Sequence, residues 1–405
     1  MPTARFAWSF SQPMVLLTLV IWVAPVGAML GLVLSQPRSA AQAATRPASP
    51  RAGAWGELEV APLTLEPPPE FVSSAGLAAR PVRWVLHGVP RERAPEWFSR
   101  AGLSAEQTAR LESARWESLP DGIAVHPPDD LVFSLEPATR ERLYAALASF
   151  PENRYQREPA RFPGTRPAEW FDHSALGPKT VERISQLVYR RHETLLFSDI
   201  DLALSGIDSV AEREAFILTM ARERSVMVRL KVPHGADVRA LADYWALPGR
   251  SRDVVPLLEA LAVQQAGGTV NVALLLPPFP RSTIYTFATA PLEPAKAPDC
   301  FATCLNFQKD VSREQVSWGL QPFQEILERD YDRPTGDPRL GDLFLLAAED
   351  SAPVHCAVYV ADDILFTKNG ASTFHPWMLM RASDVAAMFV AEKPLQWKVM
   401  RKRDQ

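Results

Sequence analysis

Cys300 and His355 have the residue types and settings that nucleophilic chemistry requires. Cys300 follows Asp299 and opens an apolar run of Phe301, Cys304, Leu305 and Phe307, whose spacing puts those side chains on about one helical face. Pro298 stands just upstream, where a loop would end. The spacing predicts a helix with Cys300 at or near its N-terminus, where unpaired N–H groups and the macrodipole favour thiolate over thiol. Downstream, Val354-His355-Cys356-Ala357-Val358-Tyr359-Val360 reads as a strand. His355, Ala357 and Tyr359 share one face; Cys356, Val358 and Val360 share the other. A thiol on a helix start and an imidazole on a neighbouring strand form the constellation used in acyl transfer.

Other elements must hold that pair. Gly341-Asp342-Leu343-Phe344-Leu345-Leu346 reads as an earlier strand, and Asp362-Asp363 as a turn. Ile364-Leu365-Phe366-Thr367 reads as a third strand ending at Asn369-Gly370. The expected architecture of residues 291–405 is α+β, a cysteine-bearing helix packed on an antiparallel sheet. Trp377, Met378, Leu379 and Met380 are expected to cover that sheet rather than line a groove. Cys304, one turn along the helix, is expected in the core. A bridge between Cys304 and Cys356 is open, but nothing in the sequence supports it.

These motifs resemble the NlpC-type cysteine peptidase family of the papain-like superfamily. The likeness covers about residues 290–400 and rests on Asp299-Cys300-Phe301-Ala302, Gly341-Asp342-Leu343 and His355-Cys356-Ala357-Val358-Tyr359. It implies a papain-like fold, Cys300 as nucleophile and His355 as general base. It also implies a polar third residue that orients the imidazole. Counted without gaps, that residue is Thr367; Asn369 lies two positions on, on the same strand face, and is the better orienting amide. Both stand as candidates, whereas His375, in a loop before Pro376, matches poorly. The chain departs from the family at Phe301-Ala302 (usually Ser-Gly), at Val354 and Ala357 (usually Gly), and at the third position (usually His).

The remainder of the chain frames this region. Residues 14–34 carry no charge and are long enough to cross a bilayer, which needs ~20 residues. Residues 1–34 are thus a signal peptide or an uncleaved membrane anchor, and Ala41-Gln42-Ala43 offers a cleavage site. Either one exports the rest, to the periplasm or the outer face of the cell membrane. Residues 35–56, rich in Ser, Gln, Pro, Arg and Ala, read as a disordered linker.

Residues 57–290 read as a mostly helical domain with a few strands and no catalytic motif. Helices are expected from Ser104 to Trp116, Pro137 to Phe150, Lys179 to Arg191 and Ser209 to Glu223, and near 236–246 and 252–265. Strands are expected over 225–232, 269–275 and 283–288. Trp84, Trp97, Trp116 and Trp170 fit packing better than a ligand cleft. His126, His173, His192 and His234 fit structural or surface roles.

A net charge of −4 without a basic stripe argues against nucleic-acid binding. Three clustered cysteines and seven scattered histidines argue against a disulfide framework, a metal site or a cofactor. The expected function is that of an exported thiol hydrolase cleaving an amide, with a peptide or peptidoglycan-like substrate. The alternative is a membrane-tethered binding or scaffolding protein of the cell envelope that has lost activity.

Overall fold

Short strands alternate with capped helices in this computed structural model. It describes residues 53–72, 77–162, 167–172, 174–191, 194–247, 251–289, 297–309, 320–349, 351–389 and 394–403. The apolar segment at 14–34, most of the linker, His173 and His192 lie outside the described residues. Within them, no helix is long and apolar enough to cross a membrane.

Local chemistry sets many boundaries. Ser104 and Gln107 form both halves of a capping box over the helix Ala105–Glu112. Pro137 and Pro178 open the helices Pro137–Leu147 and Pro178–Leu187, where a missing N–H costs nothing. The latter helix ends before the residues expected, because Tyr189–Arg191 turn into a strand. Residues 283–288 are also not a strand: a helix at Pro278–Thr283 is followed by a single bridge at Phe287.

The strands are β1 (Glu57–Leu65), β2 (Trp84–His87), β3 (Arg115–Leu119), β4 (Gly122–His126), β5 (Ala160–Phe162), β6 (Tyr189–Arg191), β7 (Thr194–Phe197), β8 (Glu223–Val232) and β9 (Gly268–Asn271). They continue with β10 (Tyr331–Asp332), β11 (Leu343–Ala347), β12 (His355–Ala361), β13 (Ile364–Lys368), β14 (Trp377–Arg381) and β15 (Gln396–Lys402). They form three three-stranded sheets, β1-β8-β9, β2-β4-β3 and β5-β7-β6, and one six-stranded sheet, β10-β15-β11-β12-β13-β14. Every pairing between them is antiparallel, so the class is α+β. Trp377–Met380 lie in β14 and so form part of the sheet they were expected to cover.

Burial divides the chain differently from a boundary at 290. One core runs from Trp84 to Met220 and takes in Trp170, with Trp97 and Trp116 packed against it. A second joins Leu58 of β1, Val228 and Leu230 of β8 and Trp245 to the C-terminal sheet. Hydrogen bonds tie this body together: the Ser225 hydroxyl donates to the Leu379 carbonyl (2.9 Å), and the Tyr244 hydroxyl to that of Val360 (2.7 Å). Strands β1, β8 and β9 thus belong with residues 297–403, because their apolar faces have no other core to enter.

The first core encloses a charge pair. Arg140 and Asp199 are both buried, with Nε and Oδ2 3.6 Å apart. The Tyr144 hydroxyl donates to Asp199 Oδ1 (2.6 Å), and an Arg140 terminal nitrogen donates to the Val132 carbonyl (2.7 Å). Burial pushes the Asp199 carboxyl up to about 6, against the opposing pull of Arg140 and Tyr144. Removing one partner leaves a buried charge uncompensated, so Arg140→Met is expected to lower stability by about 3–5 kcal/mol in urea unfolding. Adding Asp199→Leu should restore much of that loss; a single variant as stable as wild type would show the pair to be dispensable.

Candidate functional site

Cys300 begins the helix Cys300–Asn306, as its sequence setting predicts. Asp299 is the N-cap: its carboxylate accepts from the Ala302 N–H (2.7 Å), and its carbonyl accepts from the Thr303 hydroxyl (2.7 Å). Cys300 is buried, with 6% of the residue exposed. Its thiol is not activated. Burial pushes it up to about 12, the Asp299 carboxylate adds to the shift, and N–H groups including that of Cys356 only partly oppose it. The carboxylate that caps the helix is a like charge beside any thiolate formed there. The expected dipole stabilisation is therefore outweighed.

The helix packs on one face of the six-stranded sheet. Cys304 is joined to Cys356 by a disulfide, and Phe307 packs against Phe366 with ring centroids 5.8 Å apart. The Trp377 indole N–H donates to the Thr303 hydroxyl (3.0 Å). Cys356, Val358, Phe366 and Leu379 share a core with Cys304 and Phe307.

His355 belongs to the other face. Alternation along β12 sets it with Ala357 and Tyr359, which pack with Leu365, Met378 and Met380 in a separate cluster. Its Nε2 lies 2.8 Å from Thr367 Oγ1, and the Thr367 hydroxyl donates to Asn369 Oδ1 (3.1 Å). A hydroxyl has one hydrogen, so Thr367 accepts from an Nε2–H and the tautomer follows. Asn369 Nδ2 in turn meets the sulfurs of Met380 (3.2 Å) and Met388 (3.0 Å). The imidazole stacks on Phe389, with centroids 4.6 Å apart. Burial pushes it down to about 3, so it is neutral near pH 7.

The structure thus assembles His355, Thr367 and Asn369 into one polar chain, with Thr367 the direct partner. It leaves Cys300 on the helix side of the sheet. No hydrogen bond joins the sulfur to the imidazole, and the sheet stands between the helix and the ring.

The neighbour that Cys300 does have was not among the expected site residues. Lys368 is fully buried on the helix face of β13, donating to the carbonyls of Gly370 (2.7 Å) and Ser372 (2.8 Å). Its Nζ lies 5.8 Å from the Trp377 ring centroid. Burial pushes it down to about 8, while Asp299, Cys300 and Glu223 act in the opposite direction. Glu223 Oε1 is itself 2.8 Å from His375 Nδ1. A lysine that alternates inward beside Phe366 in an apolar strand was the available signal. Asp342, from the Gly-Asp-Leu motif, serves structure: Arg401 grips both its oxygens (2.9 and 2.7 Å), tying β15 to the base of β11. Gly341 before it has a φ of 96°, which favours glycine.

Among the described residues, no group of three His, Cys, Asp or Glu could hold a metal ion. Comparisons with protein-family models, with curated proteins and with solved structures find no match to the chain.

The buried imidazole makes a pH prediction. The folded value is about 3 and the ordinary one 6.5, so the unfolded chain binds the extra proton between them. The stability contributed by a neutral His355 is complete above pH 6.5 and is lost as pH falls toward 3. Relative to His355→Gln, wild type should lose up to ~1.4 kcal/mol per pH unit across that window in denaturant melts. A stability difference that does not change with pH would show that the ring is free to protonate in the fold.

Proposed function

We propose that the bridged chain is a non-hydrolysing binding or scaffolding protein of the cell envelope, built on a papain-like body. One observation carries this reading: the only free thiol among the described residues and the expected base lie on opposite sides of the sheet. Acyl transfer needs a base within about 2.6–3.2 Å of the group it deprotonates, or one water away. A thiol pushed up to about 12 and an imidazole pushed down to about 3 support the same conclusion, since neither is poised near neutral pH.

The papain-like assignment is supported by a cysteine helix laid on an antiparallel sheet whose β11 follows the Gly-Asp motif. Export is supported by the apolar residues 14–34 and by the Cys304–Cys356 disulfide, which is at home in an oxidising compartment. The partner class that export implies is a peptide or peptidoglycan-like chain, with residues 14–34 holding the protein to the membrane if they are retained.

The competing reading, a thiol hydrolase acting through Cys300 and His355, is tested by alkylation of the non-reduced chain. Iodoacetamide labelling of Cys300 should be slow from pH 5 to 9 and unchanged in His355→Ala. A rate that rises with an apparent thiol value well below the free ~8.5, and that His355→Ala abolishes, would instead establish a thiolate–imidazole pair.

A further inference from the structure

Cys356 carries the bridge, and its chain neighbour is His355. In a strand, adjacent side chains point to opposite faces, so fixing one fixes the other. By tying Cys356 to the helix through Cys304, the bridge holds His355 on the far face. Without the bridge, a displacement by one residue would exchange the two faces.

The end of β12 is buried, but only one of its edges is paired. Its ladder with β11 reaches Leu346↔His355, but its ladder with β13 begins only at Val358↔Phe366. His355, Cys356 and Ala357 are therefore paired on one side only. The His355 side chain makes a single hydrogen bond, to Thr367. Cys300, meanwhile, lies one helical turn before Cys304, the bridge partner of Cys356. The dipeptide is thus tied about one helical turn from the thiol, with the imidazole turned to the other face.

We propose that the Cys304–Cys356 disulfide is a redox latch, whose reduction lets the first residues of β12 turn over and bring His355 to Cys300. A dithiol reductant supplies two electrons and two protons to the bridge and becomes a disulfide itself; Cys304 and Cys356 are left as thiols. Cys300 keeps its oxidation state throughout. The turnover exchanges the partners of the imidazole: the Thr367 contact breaks, and a contact between the Cys300 thiol and an imidazole nitrogen forms. This goes beyond the non-hydrolysing reading, which concerns the bridged chain.

The test is site-resolved alkylation of Cys300 in the full chain, with iodoacetamide at pH 7.5 and peptide mass spectrometry, before and after reduction by a phosphine. Reduction should raise the Cys300 rate at least about tenfold, the effect of lowering a thiol pKa by one unit or more. The rise should vanish in reduced His355→Ala. The Cys304→Ser/Cys356→Ser double variant, checked for native near-ultraviolet circular dichroism, should show the fast rate without reductant. A Cys300 that stays slow after reduction overturns the latch, and so does an equal rise in His355→Ala, which would report simple exposure. If the double variant does not fold, the reduced wild type and reduced His355→Ala decide the matter alone. The unreduced sample separately tests the non-hydrolysing reading: fast, His355-dependent labelling there defeats that reading whatever reduction does.

Discussion

The C-terminal body depends on the covalent tie between the cysteine helix and β12. Cys304 and Cys356 join the helix to β12, beside the apolar core that Phe307 forms with Val358 of β12 and Phe366 of β13. That tie lies on the same face of β12 as Val358 and Val360, the face the helix covers. Everything polar then sorts accordingly: Asp299, Cys300 and Lys368 on the helix side, His355, Thr367 and Asn369 on the other.

Both sides hold ionisable groups away from water, with opposite results. On the helix side, burial and a capping carboxylate keep the thiol protonated, and Lys368 is drawn toward its neutral form. On the other side, an imidazole sandwiched against Phe389 is kept neutral by burial alone. A thiol and a base that would each be useful in contact are inert apart.

The two-core organisation follows from where apolar faces can be covered. Strands β8 and β9 lie about 60 to 100 residues before the six-stranded sheet in sequence, yet pack in its core, with β1 as a third strand. The segment between β1 and β8 closes on its own core, with the Arg140–Asp199 pair sealed inside. Insertion of one folding unit between two strands of another hides the division from a linear reading.

Local signals in the chain were enough for the helix start at Cys300, the helix start at Ser104, the proline-led helix at Pro137 and the α+β class, because each rests on near-neighbour chemistry. The strands β11, β12 and β13 and the alternation of His355 against Cys356 were also legible, since period two is a property of the strand itself. The short strands β2 to β7 were not, because a few residues carry too little periodicity. Which face of β12 meets the helix was likewise not legible: it depends on the partner of Cys356, a contact between elements distant in sequence. Lys368 had a local signal in its inward alternation, but its burial between the helix and Trp377 is a tertiary fact. The separation of Cys300 from His355 was decided only by the tertiary structure, because sequence spacing brings residues to neighbouring elements and packing alone chooses the side.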